Sequence, residues 1–405
     1  MAEVAGAGSL PSFDATEYRR RWAGLQEALQ ARDLAAAVLS QSRNVLYYAG
    51  MAVHGHVVVP AAAAPVLLVQ IDGRRARALS PVPRVVDSRG MTTLVETLHE
   101  LGCHDGTIGV EEEFLSVAAH RKLRTRLPGA ELVDVGTDVL ALRARKSPAE
   151  IDVLRRAAAV SDAQFALVRE RARAGVSEIE LHADLGRLQR QLGADGVSAK
   201  RSSNDRFIDH AWVVSGPNTE QVSGYWLTMT GAGPSPARPY GPTSRALQHG
   251  DILCCDIGTA YHGYHVDHAR SYVVGPPHDR HLRVWDALLE MQEQAVEVAV
   301  PGRTASEVYD AARRVAEARG LADVFMTRAV TDFPYVGHGV GVEIDEGPLL
   351  SPTDRTVLQE GMVLAVEPKV IIPGWGGMTL EDTVVVRREG AERLTGGGTD
   401  LRLGD

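Results

Sequence analysis

The chain has 405 residues, which is long for a single hydrophobic core and predicts two domains. Its 43 basic and 52 acidic side chains give a formal net charge of −9, which argues against a nucleic-acid-binding surface. Three cysteines cannot form a disulfide framework, the first residues lack a signal-peptide pattern, and no apolar run reaches the ~20 residues of a membrane span. We therefore expect a cytoplasmic protein with neither nucleic-acid nor membrane partners.

The first part of the chain alternates between helix and apolar strand. An amphipathic helix is predicted after Asp14, because Trp22, Leu25 and Leu29 lie near a 3.6-residue period. The strand-like run AAAVLS follows, and then NVLYYAG and HVVVPAAAAPVLLVQ. This alternation predicts a small α/β domain over residues 14–144.

A helix start marks the second domain, predicted over residues 147–405. Ser147 is placed to cap that helix, Pro148 to occupy its first position, and Glu150 to close a capping box. The preceding residues ARK are the predicted linker.

The second domain contains an internal repeat. Its first half begins with predicted helices over 148–172 and after Ser177, and its second half with helices over 279–299 and after Thr304. Strand-rich sequence follows each helix pair. Because the repeated unit is too long for a solenoid, we expect two structural halves that face each other.

The strand-rich part of the first half, LCCDIGTAYHGYHVDHARSYVV, alternates like a β-hairpin. Asp256 and Asp267 are eleven residues apart. Their midpoint lies between Tyr261 and His262, in a glycine-flanked turn. We expect the two aspartates to lie directly opposite each other, with Cβ atoms ~5 Å apart.

A second hairpin, MVLAVEPKVIIPGWGGMTLEDTVVV, repeats the arrangement with glutamates. Glu367 and Glu381 are fourteen residues apart, and their midpoint is Gly374 in the PGWGG turn. These glutamates are also expected to face each other.

Two acidic pairs on mainly apolar strands require a cation, since like charges ~5 Å apart repel strongly in a low dielectric. Four carboxylates around one cavity suit two divalent metals. His338, in GHGVGVEIDEGP, is the candidate nitrogen ligand, although taken alone it is better explained as a hydrogen-bonded turn histidine. An oxygen-rich shell with one nitrogen favours manganese, iron, cobalt or zinc.

The segments GDILCCDIGTAYHGYHVDHARSYVVG, GHGVGVEIDEGP, LQEGMVLAVEPKV and GMTLEDTVVV resemble the aminopeptidase P, prolidase and creatinase group of metallopeptidases. NVLYYAG resembles its N-terminal domain, and the resemblance covers roughly residues 15–395. It implies an α/β (α+β) protein, in which a small N-terminal domain precedes a pita-bread domain with a pseudo-two-fold helix–helix–hairpin repeat. A homodimer is also implied.

The resemblance further implies a dinuclear hydrolase acting like an Xaa-Pro aminopeptidase or dipeptidase. A metal-bound hydroxide would attack an amide carbonyl of a small peptide, with Glu367 as the usual proton acceptor. Two divalent ions are implied, with manganese as the first expectation. The implied ligands are Asp256, Asp267, His338, Glu367 and Glu381.

The sequence departs from the group at histidines that hydrogen-bond the substrate. Tyr240, Pro334 and Asp345 stand where histidines are common, and Thr379 stands where an arginine is frequent. A phenol can donate one hydrogen bond to an oxyanion, but its pKa of ~10 makes it a poor proton shuttle. We therefore predict Tyr240 as a catalytic donor and Asp345 as a substrate contact.

Further candidates lie close by in the sequence. His265 shares a strand face with Asp267 and is a candidate catalytic group. Tyr225 and Trp226, in an inserted segment, are candidate walls of the substrate pocket.

Three functions stay open on the sequence alone. The first is the Xaa-Pro peptidase. The second is the same metal scaffold used for non-peptidase hydrolysis or lyase chemistry on a small polar metabolite, which Tyr240 would suit. The third is a non-enzymatic binding module, against which the complete ligand set argues.

Overall fold

The computed structural model describes residues 13–201, 206–222, 229–326 and 334–403. This part of the chain divides into two compact units. The first unit ends at Arg143 and also includes Arg201 and Arg206, and the second begins at Ala144. The sequence predicted a single boundary between the domains, so it did not predict that Arg201 and Arg206 belong to the first unit.

The first unit is built on a mixed six-stranded sheet with the strand order β4-β3-β2-β1-β5-β6. Strands β1, β2 and β3 pair antiparallel, whereas β3 with β4, β1 with β5, and β5 with β6 pair parallel. Its described elements are α1 (Ala15–Ala31), β1 (Ala36–Leu39), α2 (Ser42–Ala49), β2 (Gly55–Pro60), β3 (Val66–Val69), α3 (Gly73–Leu79), β4 (Arg84–Asp87), α4 (Met91–Glu100), β5 (Thr107–Val110), α5 (Val117–Arg126), β6 (Glu131–Asp134) and α6 (Gly136–Ala144).

Helix α1 has the predicted amphipathic character. Asp14 caps it by accepting a hydrogen bond from the Thr16 amide, and Trp22, Leu25 and Leu29 are buried. The apolar period of the sequence therefore marks the face that packs into this unit.

The second unit contains a nine-stranded sheet, whose main path runs β13-β12-β14-β16-β11-β10-β9, with β15 and β17 also paired to β16. Its described elements are α7 (Pro148–Arg171), α8 (Glu178–Gln191), β7 (Ser198–Lys200), β8 (Arg206–Ile208), β9 (Ala211–Ser215), a 3-10 turn (Gly216–Glu220), β10 (Ile252–Tyr261), β11 (Tyr264–Val273), α9 (Asp279–Val298), α10 (Ala305–Ala318), β12 (Gly337–Gly339), β13 (Glu346–Leu349), β14 (Val363–Val366), β15 (Lys369–Ile372), β16 (Gly376–Val385) and β17 (Glu392–Arg393).

The helix pairs begin where capping boxes occur in the sequence. Ser147 accepts from the Glu150 amide while the Glu150 side chain accepts from the Ser147 amide, and Thr304 and Glu307 repeat this exchange. Gly320 follows α10 with a φ of 70°, a conformation that glycine adopts without strain. The repeat of two helices followed by strands is present in both halves.

Each helix pair covers one part of the sheet. Against α7 and α8 lies an apolar cluster that includes Phe165, Leu181, Val213 and Ile257. Against α9 and α10 lies a larger cluster that includes Leu288, Met291, Tyr309, Leu364 and Leu380. The strands of the second unit are thus anchored by apolar packing, which allows polar side chains to be held in fixed positions among them. No described helix is long and apolar enough to cross a membrane.

The first hairpin has a different register from the predicted one. Its turn is formed by His262 and Gly263, both with positive φ, which is the backbone of a two-residue type I′ turn. Asp256 therefore pairs with Ala269 and not with Asp267. The prediction that the two aspartates face each other is wrong by two residues, but they stay on one face as diagonal neighbours.

The second hairpin keeps the predicted register. Val366 pairs with Asp382 and Lys369 pairs with Thr379, so the positions between them bring Glu367 opposite Glu381. The symmetric PGWGG turn explains why its midpoint could be found from the sequence.

Candidate metal centre

The acidic and imidazole side chains of the candidate centre lie on strands β10, β11, β12 and β16 and at Glu367, directly after β14. Asp267, His338 and Glu381 each offer a ligand atom, and these atoms lie within 4.8 Å of one another. Glu367 Oε1 is 3.5 Å from His338 Nε2, and Asp267 Oδ2 is 3.8 Å from it. The carboxylates therefore surround one imidazole nitrogen.

The orientation of His338 leaves that nitrogen available. Its Nδ1 donates to the Gly339 carbonyl at 3.0 Å, so the lone pair lies on Nε2, facing the carboxylates. The flanking glycines are needed for close backbone approach. A Cβ on Gly337 would lie 1.9 Å from the Ala365 carbonyl oxygen, and one on Gly339 would lie 2.2 Å from that of Gly347.

Burial and mutual repulsion disfavour the charged forms of these carboxylates. Burial raises the pKa of Asp256 to about 7, and the negative charge of Glu367 adds to this increase. Burial, together with Asp267 and Glu367, also raises the pKa of Glu381 well above its ordinary value. Glu381 Oε1 is buried and makes no hydrogen bond to any described residue. A cation would satisfy this oxygen and relieve the repulsion.

Two groups in this cluster were not predicted from the sequence. The Lys369 ammonium contacts Glu367 Oε2, and its side chain is buried. The Tyr335 phenol lies near the same carboxylates, where burial and then Glu367 raise its pKa. Lys369 follows Glu367 by two residues, so strand alternation could have suggested that they share a face.

Asp345 lies directly at the candidate centre. Its Oδ1 is 3.3 Å from His338 Nε2, and its Oδ2 contacts the Lys200 ammonium. Burial works to raise the pKa of Asp345, but His338 and Lys200 outweigh it and hold that pKa below its ordinary value. This ionised carboxylate is therefore positioned beside the only imidazole of the predicted ligand set.

His265 is held by the backbone. Its Nδ1 donates to the Gly341 carbonyl at 3.0 Å, and its Nε2 accepts from the Ala199 amide at 2.9 Å. Both ring nitrogens are thus engaged by the backbone, which ties these two segments together. The catalytic role of His265 stays a prediction.

The remaining predicted residues are less directly placed. The Tyr240 ring meets the Trp212 ring edge-on, with centroids 5.4 Å apart, and Trp212 pairs with Asp256 in the sheet. Tyr240 therefore contacts the residue that pairs with the predicted ligand Asp256. Tyr225 and Trp226 lie outside the described residues.

The comparisons with known proteins identify the family. Residues 152–388 match the model of Metallopeptidase family M24, and residues 21–145 match the Creatinase/Prolidase N-terminal domain. The chain belongs to metallopeptidase family M24.

Named relatives and a solved structure agree with this family. The chain is 28% identical to an Xaa-Pro dipeptidase of Pyrococcus furiosus, over 87% of this chain and 90% of that protein. It is 30% identical to a probable dipeptidase PepE of Mycobacterium tuberculosis, over 94% of each. The structure of an Xaa-Pro dipeptidase from Bacillus anthracis superposes with a TM-score of 0.81 at 26% identity, covering 96% of this chain and 99% of that one.

Family M24 membership confirms the predicted pita-bread fold and the predicted metal-dependent hydrolase. The family implies divalent metals, and the donor set fits them. It combines hard carboxylate oxygens with one imidazole nitrogen whose other nitrogen is oriented by a carbonyl. The unpartnered Glu381 oxygen is the clearest sign that a cation belongs here.

A second group of possible ligands lies away from this centre, at His182, Asp209 and His210. His182 Nε2 is 3.3 Å from Asp209 Oδ2, and His210 Nδ1 is 2.9 Å from Asp209 Oδ1. The Arg238 guanidinium also contacts Asp209. Asp209 therefore already has a cationic partner in Arg238.

Proposed function

We propose that this M24 hydrolase cleaves small peptides at the bond before proline. One of the two named relatives and the superposed structure are Xaa-Pro dipeptidases, and each covers most of this chain. The observation that carries the proposal is the cluster of the Asp267, Glu367 and Glu381 carboxylates around His338 Nε2, with one buried Glu381 oxygen left unpartnered among the described residues.

The proposed metal ligands are Asp256, Asp267, His338, Glu367 and Glu381. The finer features of the proposal are two metal positions, manganese as the metal, and a cytoplasmic homodimer. The oxygen-rich donor set supports manganese over a thiolate-preferring metal.

Divalent ions in such a site lower the pKa of water and polarise a carbonyl. The chain's own groups would do the rest. Glu367 is proposed as the proton acceptor from water, with Oε1 directed toward His338 Nε2 and Oε2 held by Lys369. Holding one oxygen fixes the carboxylate plane, which orients the other oxygen.

Two further side chains are proposed to contact the substrate. Asp345, as an ionised carboxylate held by Lys200, can accept a hydrogen bond from a peptide amine. Tyr240 is proposed to donate its hydroxyl hydrogen to the developing oxyanion, in the role for which histidine is common in the group. Tyr225 and Trp226 stay predicted pocket residues.

Chemistry on a small polar metabolite is the weaker alternative. The replacement of histidine by Tyr240 is the feature that would suit it. The named relatives are peptidases, and they do not favour it.

The proposal is tested by stripping the purified protein with a chelator and restoring Mn²⁺. Ala-Pro and the matched dipeptide Ala-Ala are then compared as substrates. We expect metal-dependent hydrolysis of Ala-Pro, with Ala-Ala cleaved much more slowly. Glu367→Gln should lower the rate by at least ~100-fold, since it removes the proton acceptor. A folded, Mn²⁺-loaded protein that cleaves no Xaa-Pro peptide would refute the proposal.

A further inference from the structure

The group formed by His182, Asp209 and His210 shares no residue with the proposed metal centre. His182 lies on α8, and Asp209 and His210 directly precede β9. Each of the three offers one ligand atom, and these atoms lie within 4.8 Å of one another. The group therefore brings two imidazoles and one carboxylate together from separate segments of the second unit.

The packing of α8 leaves room for the second imidazole. Gly186 follows His182 by one helical turn, and a Cβ on Gly186 would lie 2.6 Å from His210 Cε1. The two imidazole rings lie side by side, with centroids 4.4 Å apart, and His210 is 4% exposed. A glycine inside a helix costs stability, so the space that it leaves for the His210 ring is a specific feature of this helix.

His210 has a nitrogen whose lone pair faces a carboxylate. Its Nε2 lies 3.2 Å from the His182 carbonyl, which can only accept, so Nε2 carries the ring hydrogen. Nδ1 of the neutral ring then has a lone pair, and it lies 2.9 Å from Asp209 Oδ1. This nitrogen is buried and makes no hydrogen bond of acceptable geometry within the described part of the chain. A metal ion bound by both atoms would replace their repulsion with two bonds, and the carbonyl would orient the ligating imidazole.

His182 offers a second nitrogen of the same kind. Its Nε2 is also buried without a hydrogen bond among the described residues, and it lies 3.3 Å from Asp209 Oδ2. Two imidazole nitrogens thus face one carboxylate from two directions.

Asp209 keeps an oxygen for an ion although it is already paired. Arg238 contacts Oδ2, whereas Oδ1 accepts from the His210 amide and retains a second lone pair. Carboxylates that bind metals are commonly hydrogen-bonded by a neighbouring group, and Arg238 would serve in that way here. The guanidinium charge also repels a dication, so we expect weaker binding than at a site without an arginine.

We propose that His182, Asp209 and His210 form a further metal site, which binds one zinc-like divalent ion and ties α8 to the start of β9. This site goes beyond the proposed function and does not depend on it.

The donor set favours zinc over manganese. Imidazole suits zinc, copper and nickel, whereas manganese prefers oxygen ligands and binds more weakly in general. Ligand atoms ~2.0–2.1 Å from a tetrahedral zinc lie ~3.3 Å from one another. The nitrogen-to-oxygen distances of 2.9 and 3.3 Å are close to this spacing. Three protein ligands would leave the fourth position to water.

The experiment starts from the full chain loaded with Mn²⁺. Equilibrium dialysis against buffered free Zn²⁺ is followed by a count of both metals per chain by plasma mass spectrometry. Wild type is compared with His210→Gln, His182→Gln and Asp209→Asn, and circular dichroism checks each fold. His249→Gln is the matched control, because His249 is an exposed histidine of the same unit.

We expect wild type and His249→Gln to bind one Zn²⁺ per chain more than each of the three ligand variants at the same free Zn²⁺ concentration. Mn²⁺ content should be the same in all of them. His182 is only partly buried, so His182→Gln keeps the test available if His210→Gln does not fold. Equal Zn²⁺ content in wild type and folded His182→Gln, or Zn²⁺ that only replaces Mn²⁺ one for one, would overturn the inference.

The further site and the proposed function fail separately. Wild type that binds the additional Zn²⁺ but hydrolyses no Xaa-Pro peptide refutes only the peptidase. Wild type that hydrolyses Ala-Pro but binds no additional Zn²⁺ refutes only the site at His182, Asp209 and His210.

Discussion

Replacing Glu381 by glutamine tests how much the buried carboxylates destabilise the metal-free chain and how much a bound metal ion stabilises it. Glu381 is 1% exposed, and burial together with Asp267 and Glu367 disfavours its charged form. Glutamine keeps the length, removes the charge, and can donate N–H groups to neighbouring carboxylates. We therefore expect metal-free Glu381→Gln to be more stable than metal-free wild type.

The size of this stability difference can be worked out from the unpartnered Oε1 of Glu381. A buried polar group without a hydrogen bond costs about 1–3 kcal/mol, and a charged one costs more, so the metal-free variant should gain about 1–3 kcal/mol. An ion at 1,000 times its Kd stabilises wild type by about 4 kcal/mol. If the variant binds 100-fold more weakly, the same ion concentration stabilises it by about 1.4 kcal/mol.

The assay is urea unfolding, with and without Mn²⁺ at one fixed concentration. It is followed by tryptophan fluorescence, to which Trp212, Trp285 and Trp375 of the second unit contribute. Glu178→Gln is the matched control. Glu178 is also buried, but its carboxylate accepts hydrogen bonds from residues that include Ser215, so its substitution should destabilise the chain equally with and without metal.

Two results would refute this reasoning. One is a metal-free Glu381→Gln variant less stable than metal-free wild type. The other is a variant that gains as much free energy of unfolding from Mn²⁺ as wild type does.

Three further predictions concern Tyr240, Lys146 and His56. Tyr240→Phe should lower kcat on Ala-Pro roughly 100-fold with little change in KM, because it removes one oxyanion donor; an unchanged kcat would exclude a chemical role. Lys146→Met should lower the free energy of unfolding by about 3–5 kcal/mol, because it removes the ammonium that lies 3.1 Å from the buried Glu346 carboxylate. Lys146→Met/Glu346→Leu should recover much of this loss, and a single variant within ~1 kcal/mol of wild type would contradict the prediction. Burial lowers the pKa of His56 to about 4, below its unfolded value, so its neutral form is favoured by folding, and stability is lost as pH falls from about 6.5 to 4. Over that window wild type should lose about 2–3 kcal/mol relative to His56→Gln in urea unfolding, and parallel pH curves would contradict this.

Local signals in the sequence were sufficient for much of the fold. The capping boxes at Ser147 and Thr304 located two helix starts, because the exchanged hydrogen bonds need particular side chains at fixed spacing. The Glu367 and Glu381 register followed from the centre of one glycine-rich turn. These features depend on neighbours in the chain, so they can be read without the tertiary structure.

Other features depended on conformation or on distant contacts. The first hairpin turns at His262 and Gly263, and a non-glycine residue with positive φ is not evident from residue type. This shifted the pairing of Asp256 by two positions. The backbone partners of His265 come from segments far apart in the sequence, so its structural role was visible only in the fold.

The lysine in the metal centre was the main omission. Lys369 lies two residues after Glu367 in the EPK segment, but its charge was not connected to the ligands. Only the packing shows that its ammonium reaches Glu367 and is shielded from solvent.

The central claim is that the cluster around His338 binds the metal that this M24 hydrolase uses. Anomalous diffraction at the manganese edge, from crystals grown with Mn²⁺, tests it most directly. We predict the strongest peak within bonding distance of His338 Nε2 and Glu381. A peak only at the group of His182, Asp209 and His210, or none at His338, would contradict the claim.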